Sequence, residues 1–369
     1  MLTLEGCRAR QGRLLVQLEA HRCDLFVTSN FRTIYYFTGV LVAADTPVIF
    51  CAWQDGSTVL IAPALREAAA DEIITFETYS IDRCITMPAH DAAARFGEYL
   101  SRNSARPIRQ CAVERAVVSG HLEHIIPASD FLDATSWILT LRKKKDEDEI
   151  LAIRESLHYC ATAYRAAKQT IAPGLTELDV YNAMYNAIVQ EAGTVVSFPG
   201  DFACGTRAIK EGGPPTRRVI APHDLYTLDI FPAPALYAGD TCRTFAVGQP
   251  TDVQHQAWEI VSQAVQLGES LIKPGVAASH VYRGVKEFLD SHELSRKSFW
   301  HHAGHGIGHH SHEAPRIIPG SSDIFEVGDV IALEPGIYGE HLQGGIRLED
   351  NYVVRENGLE NLFDFPRDL

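Results

Sequence analysis

The chain repeats itself after residue 170, and this repeat limits the folds open to it more than any other feature. Residues 170–181 read TIAPGLTELDVY and residues 271–282 read LIKPGVAASHVY, so Ile171/Ile272, Pro173/Pro274, Gly174/Gly275, Val180/Val281 and Tyr181/Tyr282 coincide at an offset of 101. Ser197-Phe198 and Ser298-Phe299 keep that offset. At an offset of 105, DLYTLD (224–229) falls on DVIALE (329–334), and an acid closes each apolar strand. Pro-Gly between helices is common punctuation. The joint pattern nevertheless predicts two helix pairs and two sheets related by a pseudo-twofold axis, with Asp229 and Glu334 meeting near it.

Residues before the repeat follow another pattern. Leu14, Leu15 and Leu18 put 10–21 on a helix, 24–29, 47–53 and 58–62 read as strands, 90–103 as a helix and 111–114 as a short strand. Such alternation predicts an α/β domain around a mixed sheet. With 369 residues, 46% of them hydrophobic, the chain can fill two cores. The expected division is 1–138 and 139–369, close to the basic run LRKKK at 141–145, which reads as a solvated lead-in rather than a binding patch. Asp146 and Glu149 then have capping-box spacing, and Ile150, Ile153, Leu157, Cys160, Ala161 and Tyr164 follow one helical face.

Lys plus Arg total 33 against 47 Asp plus Glu, a net charge of −14, which disfavours nucleic acid and anionic membranes as partners. No apolar run approaches the roughly 18 residues that span a bilayer. The opening MLTLEGCRARQGRLL has no signal-peptide apolar stretch, so the cytosol is the expected compartment. Cys7, Cys23, Cys51, Cys84, Cys111, Cys160, Cys204 and Cys242 lie apart without a CxxC pair and read as reduced, buried small hydrophobes.

Four acids and a histidine carry the candidate chemistry. Asp229 closes LYTLD, Asp240 opens DTCRTFAV, His305 lies in AGHGIG, Glu334 ends VIALE and Glu349 lies in GGIRLED. An acid among apolar strand residues is costly unless paired, protonated or bound to a cation. Two carboxylates about 4 Å apart repel by about 4 kcal/mol at an effective dielectric near 20, a sign that divalent cations reverse. Oxygen-rich ligation with one imidazole favours Mn²⁺, with Co²⁺, Fe²⁺ or Zn²⁺ also compatible. Taken singly, each acid reads more readily as a salt-bridge partner or strand-end carboxylate than as a ligand, and only the joint pattern reverses that. Trp300 to Arg316 (WHHAGHGIGHHSHEAPR) holds six of the 16 histidines. His312-Glu313-Ala314-Pro315-Arg316 is not the helical zinc motif HExxH, and His309 and His310 read as solvated loop residues.

The segments LDIFPAPALYAGDTCRTFAVG, AGHGIGHHSHEAPRI, IALEPGIYG and GGIRLEDNYVV resemble the active-site blocks of the pita-bread (M24-type) metallopeptidases, which include methionine aminopeptidase, aminopeptidase P, prolidase and creatinase. NFRTIYYFTG followed by PVIFCAW is similar to the creatinase-type N-terminal domain of the proline-directed members. The resemblance implies an α+β pita-bread domain after the α/β domain, and two divalent ions held by Asp229, Asp240, His305, Glu334 and Glu349. It implies catalytic roles for Glu334, His312 and His301, with His301, His312 and Arg347 contacting substrate. The implied activity is hydrolysis of the amide bond before proline in peptides or dipeptides, by a homodimer. Glu334 would move a proton from water to the leaving nitrogen.

Two departures qualify the resemblance. The family's histidine shortly before PTDRV is absent, because residues 208–219 read AIKEGGPPTRRV with Gly212 or Gly213 at that place. Ile230-Phe231 follow Asp229 where a glycine usually comes second, and Phe198, Phe202 and Tyr237 become candidates for pocket lining or core. A related enzyme acting on a non-peptide C–N bond or as a lyase, and a binding homologue without catalysis, are the alternatives.

Overall fold

Thr3 starts the first helix: its hydroxyl accepts from the Gly6 N–H at 3.0 Å. Helix α1 (Leu4–Ala20) therefore begins six residues before the expected position. Its buried stripe is Cys7, Arg10, Gln11, Leu14 and Leu18, and two of those residues are polar. Arg10 Nε donates to Tyr36 O at 2.7 Å and Gln11 Nε2 to Phe37 O at 2.7 Å, which makes their burial tolerable. In this computed structural model residues 1–63, 67–78, 81–82, 87–115, 120–209 and 212–369 are described, and Cys84, Lys210 and Glu211 lie outside them. The chain divides into two units, Met1–Arg142 and Lys143–Leu369.

The first unit continues with β1 (Leu25–Thr28), α2 (Phe31–Thr38), β2 (Ile49–Trp53), β3 (Thr58–Pro63), β4 (Glu72–Phe76), α3 (Pro88–Arg102), β5 (Gln110–Val113), α4 (Gly120–Ile125), β6 (Asp130–Asp133) and α5 (Thr135–Lys143). Its strands form one sheet in the order β4-β3-β2-β1-β5-β6. The β1–β2 and β2–β3 pairs are antiparallel and the rest parallel, the mixed sheet the sequence predicts. Period-two alternation splits β1, β2, β3 and β5 between two cores. Leu25, Val27 and Cys51 pack with Phe96 and Leu100 of α3, whereas Phe26, Phe50 and Ala52 pack with Leu14 and Leu18 of α1.

In the second unit the expected capping box is present: Glu149 Oε2 accepts from the Asp146 N–H at 2.9 Å and starts α6 (Glu147–Thr170). Then come α7 (Glu177–Ala192), β7 (Gly200–Cys204), β8 (Leu225–Ile230), β9 (Thr241–Ala246), α8 (Asp252–Leu271), α9 (Ala278–Ser291), β10 (Gly304–Gly306) and β11 (Glu313–Ile317). Strands β12 (Val330–Leu333), β13 (Gly336–Gly339), β14 (Gly344–Arg347), β15 (Asp350–Arg355) and β16 (Gly358–Asn361) complete it.

The duplication extends to individual hydrogen bonds. Gly174 N donates to Ile220 O at 3.0 Å and Gly275 N to Phe325 O at 2.8 Å; Ile220 N donates to Leu175 O at 2.8 Å and Phe325 N to Val276 O at 3.0 Å. Each helix pair, α6–α7 and α8–α9, is thus tied to the strand lead-in of its own half. The halves meet at an antiparallel bridge between Cys242 and Glu349, whose N–H donates to Cys242 O at 3.1 Å. Behind the bridge Arg243 is fully buried, with Nη1 donating to Glu349 O at 2.8 Å and Nη2 to Asp350 Oδ1 at 2.6 Å. Its Nε and Nη2 also reach the carbonyls of Pro366 and Phe365, both at 2.9 Å.

Candidate metal centre

Strand register brings the acids together. Asp201 of β7 faces Asp229 of β8, Asp229 faces Cys242 of β9, and Cys242 faces Glu349 across the bridge between the halves. Residues directly opposite in antiparallel pairs project from one face. Asp201, Asp229 and Glu349 therefore stand in one row with Cys242. Asp240 is clipped alongside: its N–H donates to Asn351 Oδ1 at 3.0 Å, and Asn351 Nδ2 donates to its carbonyl at 2.5 Å. The second half supplies His305, paired with Ala332 in β10–β12, and Glu334, whose N–H donates to Ala303 O at 2.9 Å.

The five residues singled out from the sequence come to one place. Asp240, His305 and Glu349 each offer a ligand atom within 4.8 Å of the others. His305 Nε2 is 3.8 Å from Asp240 Oδ2 and 3.2 Å from Glu334 Oε1. Arg347 Nη2 donates to Asp229 Oδ2 at 2.5 Å and Nη1 to Tyr338 OH at 3.2 Å. His312 is exposed, with its ring 4.1 Å from that of His305. His301 stands one step back, its Nε2 2.9 Å from Tyr338 OH and its Nδ1 2.6 Å from His302 O. A second imidazole beside Glu334 belongs to His302, whose Nδ1 is 3.0 Å from Oε1. The family resemblance singles out His301, four residues before His305, and leaves His302 unmarked. His309 corrects another expectation: it is buried rather than solvated, its ring 4.2 Å from that of Tyr237. His310 is exposed.

Charge is crowded here. Burial raises Asp240 and Glu349 well above the carboxylate range, and neighbouring acids push them further. Burial lifts Asp229 to about 6, with Glu334 and Asp201 adding to the shift and Arg347 opposing it. Burial would lower His305, but Glu334 and Asp240 outweigh it and raise it to about 9. Burial would likewise raise Glu334, yet the imidazoles of His302 and His305 hold it well below its ordinary value. Among the described residues, buried Asp229 Oδ1, Glu334 Oε1 and Glu349 Oε2 have no hydrogen-bond partner; the imidazoles near Glu334 are close but out of line for one. Orphaned buried oxygens are rare. Three of them with an imidazole form a donor set that fits hard or borderline divalent cations.

A cleft of about 90 Å³ opens beside this row, lined by Asp201, Gly212, Thr227, Trp300, Tyr338 and Arg347. Gly212 packs so closely on Asp201 that a Cβ there would collide with its carboxylate. The acid thus fills space next to the position where the family resemblance leads one to expect a histidine. Phe198, Phe202 and Tyr237 are buried in the core, with Phe198 stacked on Tyr181, Phe202 edge-on to it, and Tyr237 OH donating to Glu149 Oε1 at 2.7 Å.

The model of the Metallopeptidase family M24 matches residues 152–356, and that of the Creatinase/Prolidase N-terminal domain matches residues 10–144. The chain is 31% identical over 353 residues to the uncharacterized peptidase YqhT of Bacillus subtilis, covering 94% of each chain. It is 27% identical over 359 residues to the Xaa-Pro dipeptidase of Lactobacillus delbrueckii subsp. lactis, covering 95% of this chain and 96% of the relative. The fold is similar to the solved Xaa-Pro dipeptidase from Bacillus anthracis, with a TM-score of 0.84 at 24% identity, over 98% of this chain and 99% of that one. With a creatinase-type N-terminal unit, a duplicated C-terminal unit and a row of buried acids at its seam, the chain belongs to metallopeptidase family M24.

Proposed function

We propose that the protein is a two-metal Xaa-Pro peptidase that hydrolyses the amide bond before proline in peptides or dipeptides. The observation that carries this reading is the set of orphaned oxygens on Asp229, Glu334 and Glu349 around His305. Relatives named Xaa-Pro dipeptidase supply the substrate class. Asp229, Asp240, His305, Glu334 and Glu349 would hold the ions, with Mn²⁺ suited to so many oxygens and Co²⁺, Zn²⁺ or Fe²⁺ compatible. Such ions polarise the scissile carbonyl and lower the pKa of the attacking water toward neutrality.

Glu334, with His302 Nδ1 3.0 Å from its Oε1, accepts a proton and returns it to the departing nitrogen. That return matters before proline, whose tertiary amide nitrogen must be protonated to leave. His312, beside His305, contacts the scissile carbonyl oxygen. His301, kept neutral because burial lowers it to about 4, braces Tyr338, and Arg347 orients substrate from the far side of Asp229. The same reading places the protein in the cytosol as a homodimer; its seven described cysteines are free and buried, as a reducing compartment allows.

The test is release of proline from Gly-Pro or Ala-Pro with added Mn²⁺, against Asp240→Asn. Turnover by the wild type and a loss of at least about a hundredfold in the variant are expected. No cleavage despite bound metal would point to a non-peptide C–N substrate or a lyase reaction. No bound metal would point to an inactive binding homologue.

A further inference from the structure

The geometry points to Asp201 as a specificity residue of the cleft, which selects substrates that present a cationic ammonium or guanidinium group beside the metal centre. This inference rests on the peptidase reading above and names its substrate class more closely. Asp201 occupies a place in the acid row, but its surroundings differ from those of the others. Its side chain is 39% exposed and opens into the cleft. Oδ1 accepts from the Gly213 N–H at 2.5 Å, which fixes the carboxylate plane. Oδ2 has no hydrogen bond among the described residues, and Arg347 Nη2 is 3.9 Å from it, beyond direct bonding distance.

The sign of the cleft follows from its lining. Arg347 Nη2 donates to Asp229 and also lies 3.9 Å from Asp201, so one guanidinium faces two carboxylates and the cleft wall keeps a negative surplus at its exposed end, Asp201. Trp300, 61% exposed, and Tyr338 supply aromatic faces around the same space, and such faces attract cations. A carboxylate on one side with aromatic rings on another suits an ammonium or guanidinium and repels an anion. The turn that carries Gly212 and Gly213 is held independently of Asp201, because Arg207 Nη2 donates to Gly212 O at 3.2 Å and to Pro214 O at 3.3 Å. An asparagine at 201 keeps the acceptor for Gly213 and removes only the charge.

The cation has two possible sources in a peptide, its α-ammonium or a basic side chain, and matched pairs separate them. Metal-loaded wild type and Asp201→Asn are compared on Lys-Pro-amide against norleucyl-Pro-amide, and on Ala-Pro-amide against N-acetyl-Ala-Pro-amide. In at least one pair the wild type favours the cationic member by about tenfold in kcat/KM, and the variant reduces that ratio to within about twofold. Equal ratios in wild type and variant for both pairs overturn the proposal. Cleavage of none of the four peptides, nor of Gly-Pro or Ala-Pro, overturns the Xaa-Pro reading instead. The same ratios measured as calorimetric affinities then decide the role of Asp201 by the same criterion.

Discussion

Two aspartates at matched positions of the repeat show how the same residue is treated differently by its neighbours. In the first half Asp224 is gripped by Arg218, with Nη1 donating to Oδ2 at 2.7 Å and Nη2 to Oδ1 at 3.1 Å. In the second half Asp329 is fully buried, accepts from the Glu326 N–H at 2.8 Å, and has Lys143 only at 3.6 Å. Burial therefore wins at Asp329 and raises its pKa from 3.8 to about 6. An acid whose pKa is higher folded than unfolded favours the fold when protonated, below pH 3.8, and loses that contribution as the pH rises to about 6. Two pKa units correspond to about 3 kcal/mol. Asp329→Asn should accordingly gain stability relative to wild type between pH 4 and pH 7, by up to about that amount. Denaturant midpoints at the two pH values check it, and a constant difference would refute it.

At the scale of elements, close backbone packing sets the histidine strand. Gly306 of β10 lies against the Ala314 carbonyl of β11 with no room for a Cβ. Gly306→Ala should push β11 away, displace His305 and His312 together, and destabilise the fold by about 1–3 kcal/mol. Thermal unfolding measures the cost, and a parallel loss of metal affinity separates strand displacement from simple overpacking. The sequence made the strands of the repeat legible because an acid ends an apolar run in each half, and the capping box at Asp146 because its spacing is local. It left α2 unread, since FRTIYYFT (31–38) is an aromatic and β-branched run with strand composition. Helix formation there depends on Asn30, whose side chain accepts from the Arg32 N–H at 3.1 Å, and on burial of nearly every residue. The four acids and the histidine of the site were legible through strand-end position and family resemblance. Asp201 and His302 were not, because only the long-range register of β7 on β8 and the path of the chain between Trp300 and His305 give them meaning.

For the second unit as a whole, the donors are divided between the halves: Asp229 and Asp240 from one, His305, Glu334 and Glu349 from the other. Neither half alone holds the full donor set, and Asp240 and Glu349, which repel each other across the seam, come from different halves. A divalent ion at about a hundred times its dissociation constant adds about 2.7 kcal/mol to the folded state, or about 5–10 °C for a unit of this size. Chelation should lower the melting temperature of wild type by that much and leave Asp240→Asn unchanged. The metal-free variant should melt above metal-free wild type, because one of the mutually repelling acids is gone. Calorimetric scans with and without chelator decide both points, and a chelator-insensitive wild type would refute the shared-site account.

Arg243 gives the last stretch of chain a consequence that its bland composition conceals. Phe365 and Pro366 lend their carbonyls to a guanidinium sealed behind Glu349. A protease that nibbled past Leu362 would strand that cation in a dry compartment with two acceptors missing. The damage would surface on the opposite side of the sheet, as a peptidase slack in its grip on its ions although every residue that touches them is still in place.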